Sequence, residues 1–116
     1  MKYMLMMFGS AGEMMQTRSP EWIQEMIAFM VNIDEELREN GEMVFNAGLA
    51  DGSAAKLVHA DGLVTDGPFA EAKESLIGYW VLDVASEARV HEIARSIANY
   101  AGVVEVRPLG ERPPEV

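Results

Sequence analysis

LIGYWVLDV, residues Leu76–Val84, is the stretch on which the fold turns. Its β-branched and aromatic content favours an extended chain, and it is apolar on both faces, so it predicts a strand covered from both sides. Ser86 follows as a helix N-cap, and Val90, Ile93, Ala94 and Ile97 then recur at the spacing of one buried helical stripe. Beyond that helix, Val103–Leu109 sets Val104 and Val106 on one face against Glu105 and Arg107 on the other, the alternation of a half-buried strand. A strand–helix–strand unit is therefore expected over residues 76–109.

The N-terminal half has the same order. Lys2–Phe8 is a strand whose Tyr3, Leu5 and Met7 alternate with Met4, Met6 and Phe8, again apolar on both faces. Gly9–Thr17 reads as a loop of small and flexible residues. Ser19 is an N-cap with Pro20 at the first helical position and Glu21 in the first turn, where the helix dipole favours a carboxylate. Ile23, Met26, Ile27, Met30, Ile33 and Leu37 give the helix from 20 to 39 one apolar face, and Asn40-Gly41 ends it. Met43–Leu49 is a second, more weakly specified strand. Between the two units, Lys56–Ala60 and Leu63–Thr65 flank Asp61-Gly62, the signature of a hairpin with a two-residue type I′ turn. That register sets His59 opposite Val64 and Leu57 opposite Asp66.

The order β-α-β, hairpin, β-α-β predicts an α+β fold: the ferredoxin-like split βαβ arrangement with an inserted hairpin, its four-stranded antiparallel sheet carrying both helices on one face. A single domain is expected over residues 1–110, with the proline-rich residues 111–116 expected as a flexible C-terminal tail. In a monomer the helix-free face of such a sheet should be polar. The first strand and Leu76–Val84 instead carry Met, Tyr, Trp and Leu on both sides, which would leave a large apolar patch. A homodimer in which the two sheets pack face to face removes that cost.

Composition narrows the partners. The chain has 116 residues, no cysteine and a formal charge of −10. The length fits one domain, and the cysteine count excludes disulfides and thiolate chemistry and suits a cytoplasmic location. An acidic chain with scattered basic residues is repelled by phosphate backbones and anionic lipid, so no nucleic-acid and no membrane partner is expected. No stretch approaches the length of a membrane span, and MKYMLMMFG lacks the cleavage site of a signal peptide, which favours an ordinary first strand. The nine methionines read as adaptable core and interface filler, or as the lining of a permissive apolar pocket.

The candidate chemistry lies in LVTDGPFAEAKE, Leu63–Glu74. Gly67 and Pro68 make a turn, but an aromatic residue and three charges crowd behind it. If partly buried, Asp66 is a general base or a ligand-orienting carboxylate; otherwise it is a turn residue accepting from the amide two positions on. Phe69 either anchors the loop on the sheet or stacks on a ligand. Lys73 either holds an anionic substrate or lowers the Asp66 pKa, which would make it a poorer base, or it belongs with Glu71 and Glu74 to a solvated segment. Tyr79 and Trp80 point to opposite faces, so one faces the helices and the other a cleft, as a ring-binding or a packing residue. His59, on the hairpin leading to Asp66, is a ligand contact or a solvent-facing side chain, and His91 lies on the charged face of the second helix. No spacing of His, Asp and Glu suits a metal, and no phosphate loop or nucleophile elbow is present, so no metal and no cofactor are expected.

LVTDGPFAEAKE, together with GYWVLDV, VEVRPL, MKYMLMMFG and GEMVFNAGLA, resembles the DGPF group of the YCII-related (YciI-like) family over nearly the whole chain. The resemblance implies a ferredoxin-like dimeric α+β barrel with the DGPF loop bordering a cleft between sheet and partner. Some wider relatives look like enzymes acting on small ring or chlorinated acids, and others occur beside sigma factors. The YciI branch carries a helix histidine paired with an aspartate, but residues 20–39 contain no histidine here, so that dyad is not carried over; the motif aspartate falls on Asp66. Two functions are therefore expected. One is binding of a small organic molecule in a cleft at the dimer interface bounded by Asp66, Phe69, Lys73 and one strand aromatic, with lyase- or isomerase-like proton transfer on a small acid if catalytic. The other is a non-catalytic interaction module of a transcription (sigma) factor.

Overall fold

In chain order the elements are β1 (Lys2–Gly9), α1 (Ala11–Thr17), α2 (Pro20–Glu39), β2 (Met43–Gly48), a 3-10 turn (Gly52–Ala54), β3 (Lys56–Val58), β4 (Val64–Asp66), β5 (Ser75–Asp83), α3 (Glu87–Ala101) and β6 (Glu105–Pro108). The structure is a computed structural model, and it describes residues 1–68 and 75–110, with Ala11 described in its backbone alone. The expected tail, residues 111–116, lies outside the described residues.

The caps that the sequence suggests are formed. Ser19 Oγ accepts the Trp22 amide at 3.1 Å and Ser86 Oγ accepts the Arg89 amide at 3.1 Å, each satisfying a donor that the helix start leaves free. After α2 the Glu42 amide donates back to Leu37 O at 2.8 Å, a closure that needs the left-handed backbone of Gly41, at φ +71°.

The main sheet has the order β2-β5-β1-β6 with every pair antiparallel, and β3-β4 form a separate ribbon. This mixed α+β topology is compatible with a ferredoxin-like fold. The registers Leu5↔Trp80, Tyr3↔Leu82 and Leu5↔Val106 place Tyr3, Leu5, Trp80, Leu82 and Val106 on one face, where they meet Ile33 and Leu37 of α2 and Val90, Ile93 and Ile97 of α3. Leu5, Leu37, Leu82, Val90 and Ile97 have no exposed surface, and burying each such side chain contributes about 1.5–3 kcal/mol. The opposite face carries Met4 and Met6 of β1, Tyr79 and Val81 of β5 and Phe45 of β2, through the pairs Met4↔Val81, Met6↔Tyr79 and Phe45↔Val81. The Phe45 and Tyr79 ring centroids lie 6.1 Å apart there, and Phe45 is 55% exposed. The molecule measures 52 × 45 × 19 Å with a radius of gyration of 16.3 Å, against about 13 Å for a compact chain of similar length.

Two local expectations are corrected. Gly9–Thr17 is not all loop, because Ser10 caps α1 by accepting the Glu13 amide at 3.2 Å. Ser10-Ala11-Gly12-Glu13 is a Ser-x-x-Glu helix start that the small residues around it obscure. The hairpin pairs Lys56↔Asp66, Leu57↔Thr65 and Val58↔Val64, one residue away from the expected register. Its loop has three residues: the His59 amide donates to Leu63 O at 2.8 Å and the Gly62 amide to His59 O at 2.9 Å. Gly62, at φ +90°, takes the left-handed position, and Asp61 Oδ1 accepts the Leu63 amide at 2.9 Å. Asp61 capping that amide and Gly62 absorbing the extra residue favour the longer loop over a two-residue I′ turn. Because side chains alternate, the slip of one residue changes which of them face each other along the whole ribbon.

Candidate functional site

The revised register decides what surrounds Asp66. Its carboxylate closes β4 opposite Lys56 and forms an ion pair with it, with the Asp66 side chain 86% exposed. Among the described residues, none therefore takes this carboxylate out of water. The Gly67 amide donates to Ala55 O at 2.9 Å, and a Cβ on Gly67 would sit 3.2 Å from Leu57 Cγ, so the motif glycine permits the ribbon to pack closely on itself. Pro68 reaches back toward the loop after β2 and lines a cavity of about 340 Å³ with Leu49, Gly52, Ala55, Ser75 and Leu76. At its rim Asp51 accepts from the Ser53 amide at 3.1 Å, and Ser53 holds the Asp51 carboxyl below its ordinary pKa. Phe69 and Lys73, with Glu71 and Glu74, lie outside the described residues.

The other residues singled out in the sequence do not gather around Asp66. His59 is exposed at the hairpin tip, its Nε2 3.0 Å from Thr65 Oγ1, a diagonal contact created by the three-residue loop. Tyr79 lies on the helix-free face against Phe45. Trp80 lies on the helix face, only 6% exposed. His91 is exposed on α3 beside Glu87.

A different set of residues converges beside Trp80. Its indole Nε1 donates to Asp34 Oδ1 at 3.0 Å, and Asn46 Nδ2 donates to Asp34 Oδ2 at 2.8 Å. Asp34 is thus a half-buried carboxylate held by two neutral donors, and among the described residues no Lys, Arg or His forms an ion pair with it. It closes one end of a cavity of about 220 Å³ between α2 and the β2-β5-β1 part of the sheet. Met26, Met30 and Asp34, four residues apart along α2, form one wall, and Met7 of β1 contributes from below. The floor is made by Gly48 and Gly78, which pair across β2 and β5, while Gly78 in turn pairs with Met7.

Neither floor glycine has a positive φ, so backbone geometry does not require glycine at either position. A Cβ on Gly48 would meet nothing within 4 Å, and one on Gly78 would make only ordinary contacts, the nearest 3.5 Å from Ala47 O. Glycine weakens a strand and often marks a place where a ligand or another backbone comes close. Here two paired glycines leave an open trough where a Cβ would fit at either position.

Sequence reading missed Asp34, Asn46 and this glycine pair. One signal was available: the stripe Met26, Met30, Ile33, Leu37 is interrupted at its own spacing by Asp34, a carboxylate where an apolar residue is expected. Nothing local marks Asn46 as its partner.

The third charged feature lies at the opposite end of the sheet and is structural. Arg89 of α3 donates through Nε and Nη2 to both oxygens of Glu42 at 2.9 and 2.8 Å, and also contacts Glu92 and Glu36. The hydrogen bonds from Arg89 hold the Glu42 carboxyl below its ordinary pKa, and Glu42 in turn raises that of Arg89. This fork fastens the start of β2 to the first turn of α3. Among the described residues no group of three or more His, Asp or Glu side chains is arranged to hold a metal ion, and no helix is long and apolar enough to cross a membrane.

Comparison with known proteins places these features in a family. An uncharacterised protein of Rhizobium meliloti (strain 1021) is 45% identical over 62 residues, and the match takes in 49% of this chain and 50% of the relative. The chain thus spans about half the length of that relative. The profile of the YCII-related domain matches residues 1–111, from the first strand through the DGPF turn to the end of the last strand. The chain belongs to the YCII-related domain family.

Proposed function

We propose that this protein binds a small organic molecule in the cleft between α2 and strands β2 and β5, and that it does so as a homodimer. The paired glycines Gly48 and Gly78 carry the proposal, because they keep open a trough into which a Cβ could project at either position without strain. Methionine side chains suit the walls of such a site, being unbranched and polarizable and able to re-pack around an apolar body. Asp34 supplies the convergent polar group that fixes orientation in most small-molecule sites. An engineered cavity of about 150 Å³ holds benzene, so about 220 Å³ accommodates a single small ring.

The dimer rests on the helix-free sheet face, where Met4, Met6, Phe45, Tyr79 and Val81 form an apolar layer on a body only 19 Å thick. A second copy packed on that layer would make the two-sheet barrel that the strand order allows. Proton transfer by Asp66 would draw on burial by the second copy, since the described residues leave the carboxylate exposed and paired with Lys56.

A thermal-shift screen of single-ring fragments against the wild type and Gly48→Val tests the binding site. Fragments that bind the cleft stabilise the wild type by mass action, about 2.7 kcal/mol at a hundredfold excess over Kd, and lose that effect in the variant. Hits that stabilise Gly48→Val equally would place binding elsewhere and remove the proposal. Sedimentation of wild type and Tyr79→Glu tests the assembly; a wild-type monomer at low micromolar concentration removes the homodimer.

A further inference from the structure

We infer that the cleft is built for an organic cation: a protonated amine carrying one small apolar ring. The inference rests on the cleft being a binding site and concerns what that site selects. Asp34 is the only Asp, Glu, Lys, Arg or His side chain among the described residues that line this cavity. Each of its oxygens accepts one hydrogen bond from a neutral donor, Trp80 Nε1 or Asn46 Nδ2. A carboxylate has room for about four such bonds, so Asp34 keeps acceptor capacity beyond those two.

The two neutral donors orient the carboxylate without cancelling its charge. An ammonium group entering the cleft supplies both the missing counter-charge and the missing donors, and a charge-assisted hydrogen bond is roughly twice as strong as a neutral one. A carboxylic acid of the same size would bring a second negative charge against Asp34, in a chain whose formal charge is already −10. The expected preference for a small acid substrate is therefore opposed by the residue at the end of the cleft. The ring would lie over Gly48 and Gly78, where Met7, Met26 and Met30 offer sulfur–aromatic contacts.

Three single-ring probes of similar size separate the possibilities: benzylammonium, benzyl alcohol and benzoate. The readout is the indole N–H resonance of Trp80, which reports the hydrogen bond to Asp34 directly and is told apart from that of Trp22 by a Trp22→Phe variant. Benzylammonium is expected to move this resonance in the full-length protein and to bind about tenfold more tightly than benzyl alcohol, with benzoate weakest. Asp34→Asn should erase the advantage of the amine over the alcohol, and Gly48→Val should abolish binding of both. If the alcohol or benzoate binds as tightly as the amine and Gly48→Val abolishes that binding, the cleft stands as a site and the cation preference is overturned. If no probe moves the Trp80 resonance at millimolar concentration, or Gly48→Val leaves binding intact, the binding site and the preference both fall.

Discussion

The β3–β4 ribbon and the α2–β2–β5 cleft differ in where their information lies. The ribbon holds the most legible motif of the chain, yet its Asp66 is exposed and its charge is met by Lys56 across the strands. The cleft has no motif, yet it gathers a half-buried carboxylate, two oriented donors and an open trough from three separate elements. A recognisable turn is a statement about local backbone. A binding site needs side chains brought together and taken out of water, and here the helix–sheet packing does that.

The largest effect that can break this contrast is expected at Trp80. Trp80→Ala removes a core side chain and the donor to Asp34 together, and should cost about 3–5 kcal/mol in urea unfolding. A loss below about 1 kcal/mol would mean that the cleft wall is not part of the cooperative core.

An intermediate effect is expected at the other end of the sheet. Arg89→Ala leaves Glu42, with a side chain only 13% exposed, without its two charged hydrogen bonds and should cost about 1.5–3 kcal/mol near neutral pH. The Glu42 carboxyl is held below its ordinary pKa in the folded state, so its contribution is complete above the ordinary glutamate value. It is lost as pH falls below that value and through the lowered folded pKa. The stability gap between wild type and Arg89→Ala should accordingly narrow on acidification; a gap that widened instead would show that the fork does not set this pH dependence.

The smallest effect is expected in the ribbon. Asp66→Asn should change stability by less than about 1 kcal/mol, and 1 M salt should remove most of the difference, because an exposed pair is screened. A larger, salt-resistant loss would show that Asp66 is buried in the assembled protein, and would return the proton-transfer role to it.

Much of the fold is legible because its signals are short-range. Ser19-Pro20-Glu21, Asn40-Gly41 and Ser86 announce helix ends through bonds within a turn, and those bonds are formed. The apolar residues on both sides of β1 and β5 likewise mark the two central strands of the sheet. The hairpin was half legible: Asp61-Gly62 located the reversal, but the Asp61 side chain lengthened the loop by one residue and exchanged every cross-strand partner. For the cleft only the interruption at Asp34 was visible, since a carboxylate on an apolar stripe does not say what will meet it.

By itself the sequence determined the order of the main-sheet strands, the boundaries of the two long helices α2 and α3, the apolar layers and the membership of the YCII-related family, but not the short helix α1 or the hairpin register. Only the tertiary structure decided that Asp34 meets Trp80 across 46 residues and Asn46 across 12, and that Gly48 lies beside Gly78. Caps and turns are settled by neighbours within about four positions, whereas a site is settled by which distant faces the buried core presses together.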